Sequence, residues 1–263
     1  MVPDVTPVDV KTYYERPVLK EPTWRWYIPA YFFAGGLAAG SSLLAAGLDV
    51  RGDQRAARHA RLVALPAITA GSAMLVADLG RPERFHHMLR VAKPSSPMST
   101  GTWILAAYAP AAGVAAATDL LGRFRGARSA STWAAAALAP LVATYTAVLV
   151  ADTSIPAWHD ARCTLPTVFA SSASAAAGGA ALMLGAATGA GAPLPARRLA
   201  IGAALAESAA ATAMERRLGP AVRPAYEAGP PKAWGTAAKA LGVGGAAIVA
   251  AGRRRRWADA LGG

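Results

Sequence analysis

Acidic side chains, cysteine and aromatics are scarce in this chain, and each shortage removes a class of protein. Only 15 Asp and Glu stand against 27 Lys and Arg, charged residues of all kinds reach 16% of 263, and Cys163 is the one cysteine. A single thiol excludes an internal disulfide and any cysteine-rich zinc or iron–sulfur site, so no iron–sulfur cluster is expected in this chain and any such chemistry belongs to a partner. With 54% apolar residues and a positive mean hydropathy, the chain is neither disordered nor an average soluble domain; an integral membrane protein is expected. The formal charge of +12 raises the question of nucleic acid. The arginines, however, fall in short clusters between apolar runs, which is how membrane loops are charged, and no nucleic-acid partner is expected. Met1 to Arg25 mixes acids and bases without a basic stretch ahead of a short apolar core. No cleavable signal peptide is expected, and the first membrane helix would serve as the insertion signal.

What the chain does have is a series of uncharged or nearly uncharged runs. Residues 1–25 form an arm that leads into the cluster of Trp24, Trp26 and Tyr27, aromatics suited to the headgroup level. Tyr27 to Leu48 is free of Lys, Arg, Asp and Glu, and at 1.5 Å per residue it crosses a bilayer core. Gly36 and Gly40 within it form a GxxxG pair that lets another backbone approach. Further spans are expected at Leu62 to Ala77, Thr100 to Leu120, Ser131 to Ala151, Leu165 to Gly189, Leu199 to Met214 and Trp234 to Gly252, the last being the weakest. The fold expected is therefore all-α and integral to the membrane, with about seven transmembrane helices and a basic tail at 253–263. Arg51, Arg55, Arg58 and Arg61, then Arg123, Arg125 and Arg128, are read as short loops. Basic residues divide almost evenly between the two faces, but on the face holding these loops they lie in short segments nearly free of acids, which places that face in the cytoplasm and the N-terminus outside.

Val76 to Trp103 concentrates the chemistry: Asp78 at a helix end, Gly80, Arg81 and Pro82 as a stop, His86 and His87, then Pro94 and Pro97. This is longer than an ordinary connector in a helical bundle, and the length points to a working loop. Haem held between helices needs axial ligands projecting into the bundle. His59, His86, His87 and His159 all fall at span ends or in loops, so no haem is expected.

The runs Trp26 to Ala45, Asp78 to Trp103, Tyr145 to His159 and Leu165 to Gly179, in this order, resemble the NrfD, or polysulfide reductase C-type, family of membrane subunits. The resemblance implies a subunit that anchors a ferredoxin-like iron–sulfur protein and a molybdopterin catalytic subunit. It also implies electron exchange with a quinone, menaquinone being the expected one, as a diffusible redox partner. It further implies a four-helix bundle at 26–152 carrying the quinone pocket, followed by a second bundle. Here that second bundle, 153–252, is shortened, and the chain falls short of the family's eight helices.

A quinone site needs an apolar slot and hydrogen-bond donors at two carbonyl oxygens. Tyr31, one turn into the first span, and Tyr145, in the fourth, supply suitable hydroxyls, and the resemblance implies a quinone-contacting role for both. The other reading of each is an aromatic of the core or belt. Asp78 and Arg81, three apart, meet on one face if the helix continues through them; Asp78 then either relays protons or makes a structural pair, and Arg81 holds the loop or a partner. Glu207 and Lys239 fall inside expected spans, where a charge signals a proton path or a buried pair, and Lys239 can also snorkel. Two other functions remain alongside the quinone-linked one: a scaffold that anchors partners without quinone chemistry, and a proton or ion transporter.

Overall fold

The structure is a computed structural model and describes residues 24–252; the tail at 253–263 and most of the arm at 1–25 lie outside the described residues. Helices α1 (Tyr27–Val50), α2 (Gln54–Asp78), α3 (Pro97–Leu121) and α4 (Arg125–Ala151) come first. They are followed by a four-residue turn α5 (Pro156–His159), α6 (Leu165–Ala187), α7 (Leu194–Arg217), a second short turn α8 (Pro224–Glu227) and α9 (Gly229–Ala251). No strand occurs among the described residues. α1 packs on α2 and α4, and α3 on α2 and α4, which closes a four-helix bundle; α6 lies against α1 and α4, α7 against α6, and α9 against α7.

Six of these helices, α1, α2, α3, α4, α6 and α9, are long and apolar enough to cross a membrane. The expected count of seven is not reached, and the difference is α7. It is long enough, at 24 residues, but Arg197, Arg198, Glu207, Glu215, Arg216 and Arg217 keep it too polar to qualify by composition. The span expected to be weakest, α9, does qualify.

Two helices begin well before their apolar stretches. Asp53 caps α2, its carboxylate accepting the Ala56 N–H at 3.1 Å, so Arg55, Arg58, His59 and Arg61 lie on the helix and only Arg51 is left in the turn. α4 likewise starts at Arg125, six residues before the expected Ser131, behind a turn in which Gly122 and Phe124 both take the left-handed conformation. Two of these helical arginines are neutralised by partners. Arg61, only 2% exposed, pairs with Asp49 at 2.6 Å and with Asp119, which also meets Arg128 at 3.3 Å. Lower in the bundle, Ser42 and Tyr108 share a buried hydrogen bond of 2.8 Å.

The GxxxG pair acts as its spacing predicts. Gly36 and Gly40 face Ala173 and Ala177 of α6, and a Cβ on Gly40 would collide with the Ala173 carbonyl. α6 is thereby held close against α1.

Candidate functional site

The end of the bundle opposite the three-residue turns holds the loop between α2 and α3. α2 stops at Asp78 because Leu79 is extended (φ −70°, ψ 136°). A 3-10 helix over Pro82–Leu89 follows, with Pro82 at its first turn, and α3 restarts at Pro97 with the Ser96 hydroxyl accepting the Ser99 N–H at 3.4 Å. Phe85, Met88 and Leu89 of the 3-10 helix turn back over the bundle and, with Met98 and Leu105 of α3, roof a cavity of about 490 Å³ between α1, α2, α3 and α4.

Tyr31, Tyr145 and Asp78 all line this cavity, so the structure brings together three of the four site residues expected from the sequence. The two phenol hydroxyls are hydrogen-bonded to each other across the bundle, either one able to donate. Tyr31 is 1% exposed, held by α2 at Gly71 and by the next turn of its own helix at Gly35; Tyr145 is half-buried. Tyr145 owes its position to Gly101 of α3, where any Cβ would overlap its ring. The rest of the wall is mostly apolar: Ile28, Leu75, Val76, Leu79, Leu149 and neighbours, with Ser72 and Thr102 as further hydroxyls. Trp24 forms one edge, stacked on Trp158 of α5 at 5.8 Å, and Phe32 bridges from Trp24 to Phe169 of α6.

Arg81 is not with the other three. The helix does not continue through it, its own backbone is extended (φ −138°, ψ 82°), and it is exposed outside the cavity; no ion pair with Asp78 forms among the described residues. The pairing expected from i, i+3 spacing fails because it presumed a helical Leu79. His86 and His87 are exposed on the 3-10 helix, and the His159 ring lies 3.4 Å from the Ala151 carbonyl. No group of three or more metal-ligating side chains occurs among the described residues. Lys239 pairs with Glu215 at 2.6 Å, and Glu207 lines a second cavity of about 210 Å³ on the α6 side of Tyr31.

Sequence reasoning missed Gly101, Thr102 and the Phe85 to Leu89 roof. The run Gly101, Thr102, Trp103 carried a usable signal, since a glycine one turn into a membrane helix marks a close approach.

An apolar slot of this volume, rimmed by aromatics, with two linked hydroxyls on one wall and a carboxyl at the mouth, can bind a planar ring with polar oxygens and pass protons to it. No curated protein shows a significant match to the chain. The family model described as polysulphide reductase, NrfD, matches residues 17–192, which takes in α1 to α6 and ends just before α7. The match spans well over half of the chain, which therefore belongs to the polysulphide reductase NrfD family, a family of membrane subunits of quinone-linked oxidoreductase complexes.

Proposed function

We propose that this chain is the quinone-interacting membrane anchor subunit of a molybdopterin and iron–sulfur oxidoreductase complex, and that it exchanges electrons between a ferredoxin-like partner and a quinone, menaquinone being the expected one. The observation that carries the reading is the hydrogen-bonded pair of Tyr31 and Tyr145 on the wall of the 490 Å³ cavity that also holds Asp78. The quinone ring sits against Tyr145, with its tail along the apolar wall of α2 and α3. If Tyr31 donates to Tyr145, the Tyr145 hydroxyl hydrogen is left to donate to one quinone oxygen. Tyr31, almost wholly buried, acts through Tyr145. Asp78, at the mouth, exchanges protons with the loop side, and Arg81, outside, holds the loop or the partner.

Orientation follows from charge. Arg51, Arg55 and Arg58, with Arg123 and Arg125, cluster at the turns and at the starts of α2 and α4, so that end faces the cytoplasm and the loop, the N-terminus and the quinone site belong to the extracytoplasmic side of the plasma membrane. The exposed Arg84, Phe85, Arg90 and Val91 of the loop provide the surface on which the cluster-bearing partner docks.

The test is Tyr145→Phe beside Asp78→Asn, in the purified complex with clusters stoichiometrically prereduced and 2,3-dimethyl-1,4-naphthoquinone as acceptor. Both variants should assemble. Loss of one neutral hydrogen bond, about 0.5–1.5 kcal/mol, slows the quinone step by roughly 2–10-fold, and loss of a proton donor by roughly 10²-fold or more. Parental rates in both variants would leave the chain a scaffold that anchors partners without quinone chemistry.

A further inference from the structure

Tyr31 lies between two cavities. With Phe32 it lines both the larger cavity and the 210 Å³ cavity between α1, α4, α6 and α7, whose wall also carries Thr146, Ser172 and Glu207. Glu207 lies near the middle of α7, is half-buried, and has no hydrogen bond or ion pair among the described residues, Lys239 being engaged by Glu215. α7 does not qualify as a span by composition but packs between α6 and α9, which do, and a carboxyl beside a cavity at that depth is retained at a cost unless it serves a path or a partner. A separate shallow groove of about 590 Å³, bordered by Ser208, Thr212 and Arg216, follows α7 toward Arg217, the end on the same face as the loop of the larger cavity.

We propose that Glu207 is a proton relay residue for the quinone reaction, acting through the Tyr31 and Tyr145 hydroxyls. This rests on the quinone reading of the larger cavity and adds a second proton route to it. Reduction of a quinone takes two electrons from the partner's clusters and two protons, one at each oxygen. One proton comes by Asp78 at the mouth. The other passes from the Glu207 carboxyl through water in the smaller cavity to Tyr31, from Tyr31 to Tyr145, and from Tyr145 to the quinone oxygen. Each hydroxyl gives up one proton and receives one. Glu207 is recharged from outside the smaller cavity, and quinol oxidation runs the same steps in reverse.

The experiment compares Glu207→Gln and Glu207→Asp with Tyr145→Phe in the assembled complex, again with 2,3-dimethyl-1,4-naphthoquinone. Glu207→Gln should slow the quinone step about 10-fold or more with the naphthoquinone KM unchanged, since it removes an acid–base group and no contact with the ring. Its solvent deuterium isotope effect should rise as proton delivery becomes limiting, and Glu207→Asp should restore most of the rate. If Glu207→Gln fails to assemble, a carbodiimide applied to the assembled parental complex blocks the same carboxyl after folding, and labelling of Glu207, located by mass spectrometry, must slow the reaction in proportion. Parental rate and isotope effect in Glu207→Gln, with Tyr145→Phe slowed, overturn the relay and leave the quinone site standing. Parental behaviour of both variants overturns the site and the relay together.

Discussion

At one end of the four-helix bundle Arg61, 2% exposed, is enclosed by Asp49 and Asp119, with Arg128 at the rim; at the other, Tyr31 and Tyr145 bond to each other beside a cavity of about 490 Å³. Both ends link helices distant in sequence through polar groups withdrawn from lipid. At the first end full charges of opposite sign are neutralised within a packed cluster, and the cavity beside Arg61 is only about 10 Å³. At the second, the groups are neutral hydroxyls that can both donate and accept, and the space next to them is open. Charge that is matched and enclosed holds helices together, whereas hydroxyls beside a void are placed to meet something that arrives.

The sharpest way to break this contrast is Arg61→Met. It leaves Asp119 with only the rim contact of Arg128, and Asp49 with no cation, inside the bundle. Removing one member of a buried pair costs about 3–5 kcal/mol, enough to abolish folding of a marginal membrane subunit. The expected outcome is loss of the monodisperse protein in detergent and a large fall in the unfolding midpoint of whatever remains. Combining Arg61→Met with Asp49→Leu and Asp119→Leu should recover much of the loss, because a buried ion cluster replaced as a unit by apolar side chains is often neutral. Failure of the triple variant to recover would assign the cluster more than a fastening role.

That cluster also shows what could be read from the sequence and what could not. The apolar runs were legible because a membrane span is a local property of about twenty consecutive residues. Arg55, Arg58 and Arg61 were read as loop because local charge argues against a span, yet Asp53 as a helix cap and Asp49 and Asp119 as partners make them helical, and Asp119 is 58 residues from Arg61. The same distance problem applies to the site. Tyr31 and Tyr145 were each recognisable as donors from residue type and depth, but their hydrogen bond spans 114 residues and only the fold supplies it. Local spacing does not show that Leu79 and Arg81 leave the helical conformation, which separates Arg81 from Asp78, and the alanines of α7 outweigh its charges only over a short window.

A variant at the other end should be costly to the site and mild for the fold. Gly101→Ala puts a methyl group where the Tyr145 ring lies. Overpacking of this kind costs about 1–3 kcal/mol, and here the ring has the cavity to move into. The protein should therefore still assemble, with a modest fall in the unfolding midpoint. Its binding of 2,3-dimethyl-1,4-naphthoquinone, measured by quenching of intrinsic fluorescence, should weaken by roughly tenfold, as loss of about 1.4 kcal/mol implies. Unchanged naphthoquinone binding would mean that the position of Tyr145 does not matter to the cavity, contrary to the contrast drawn above.

The smallest effect is expected at the rim of the ion cluster, and it separates burial from charge as the cause of its strength. Arg128 makes two contacts, to Asp119 at 3.3 Å and to the Gln54 side chain at 3.1 Å, with its side chain 28% exposed against 2% for Arg61. A partly solvated pair is screened by water and salt and contributes roughly 0.2–1 kcal/mol. Arg128→Ala should accordingly fold, assemble and react with quinone as the parent does, with a shift in the unfolding midpoint that shrinks further as salt is raised. Were Arg128→Ala as damaging as Arg61→Met, the Asp119 carboxylate would need both cations, and the stability of this end would come from total positive charge and not from the one enclosed guanidinium.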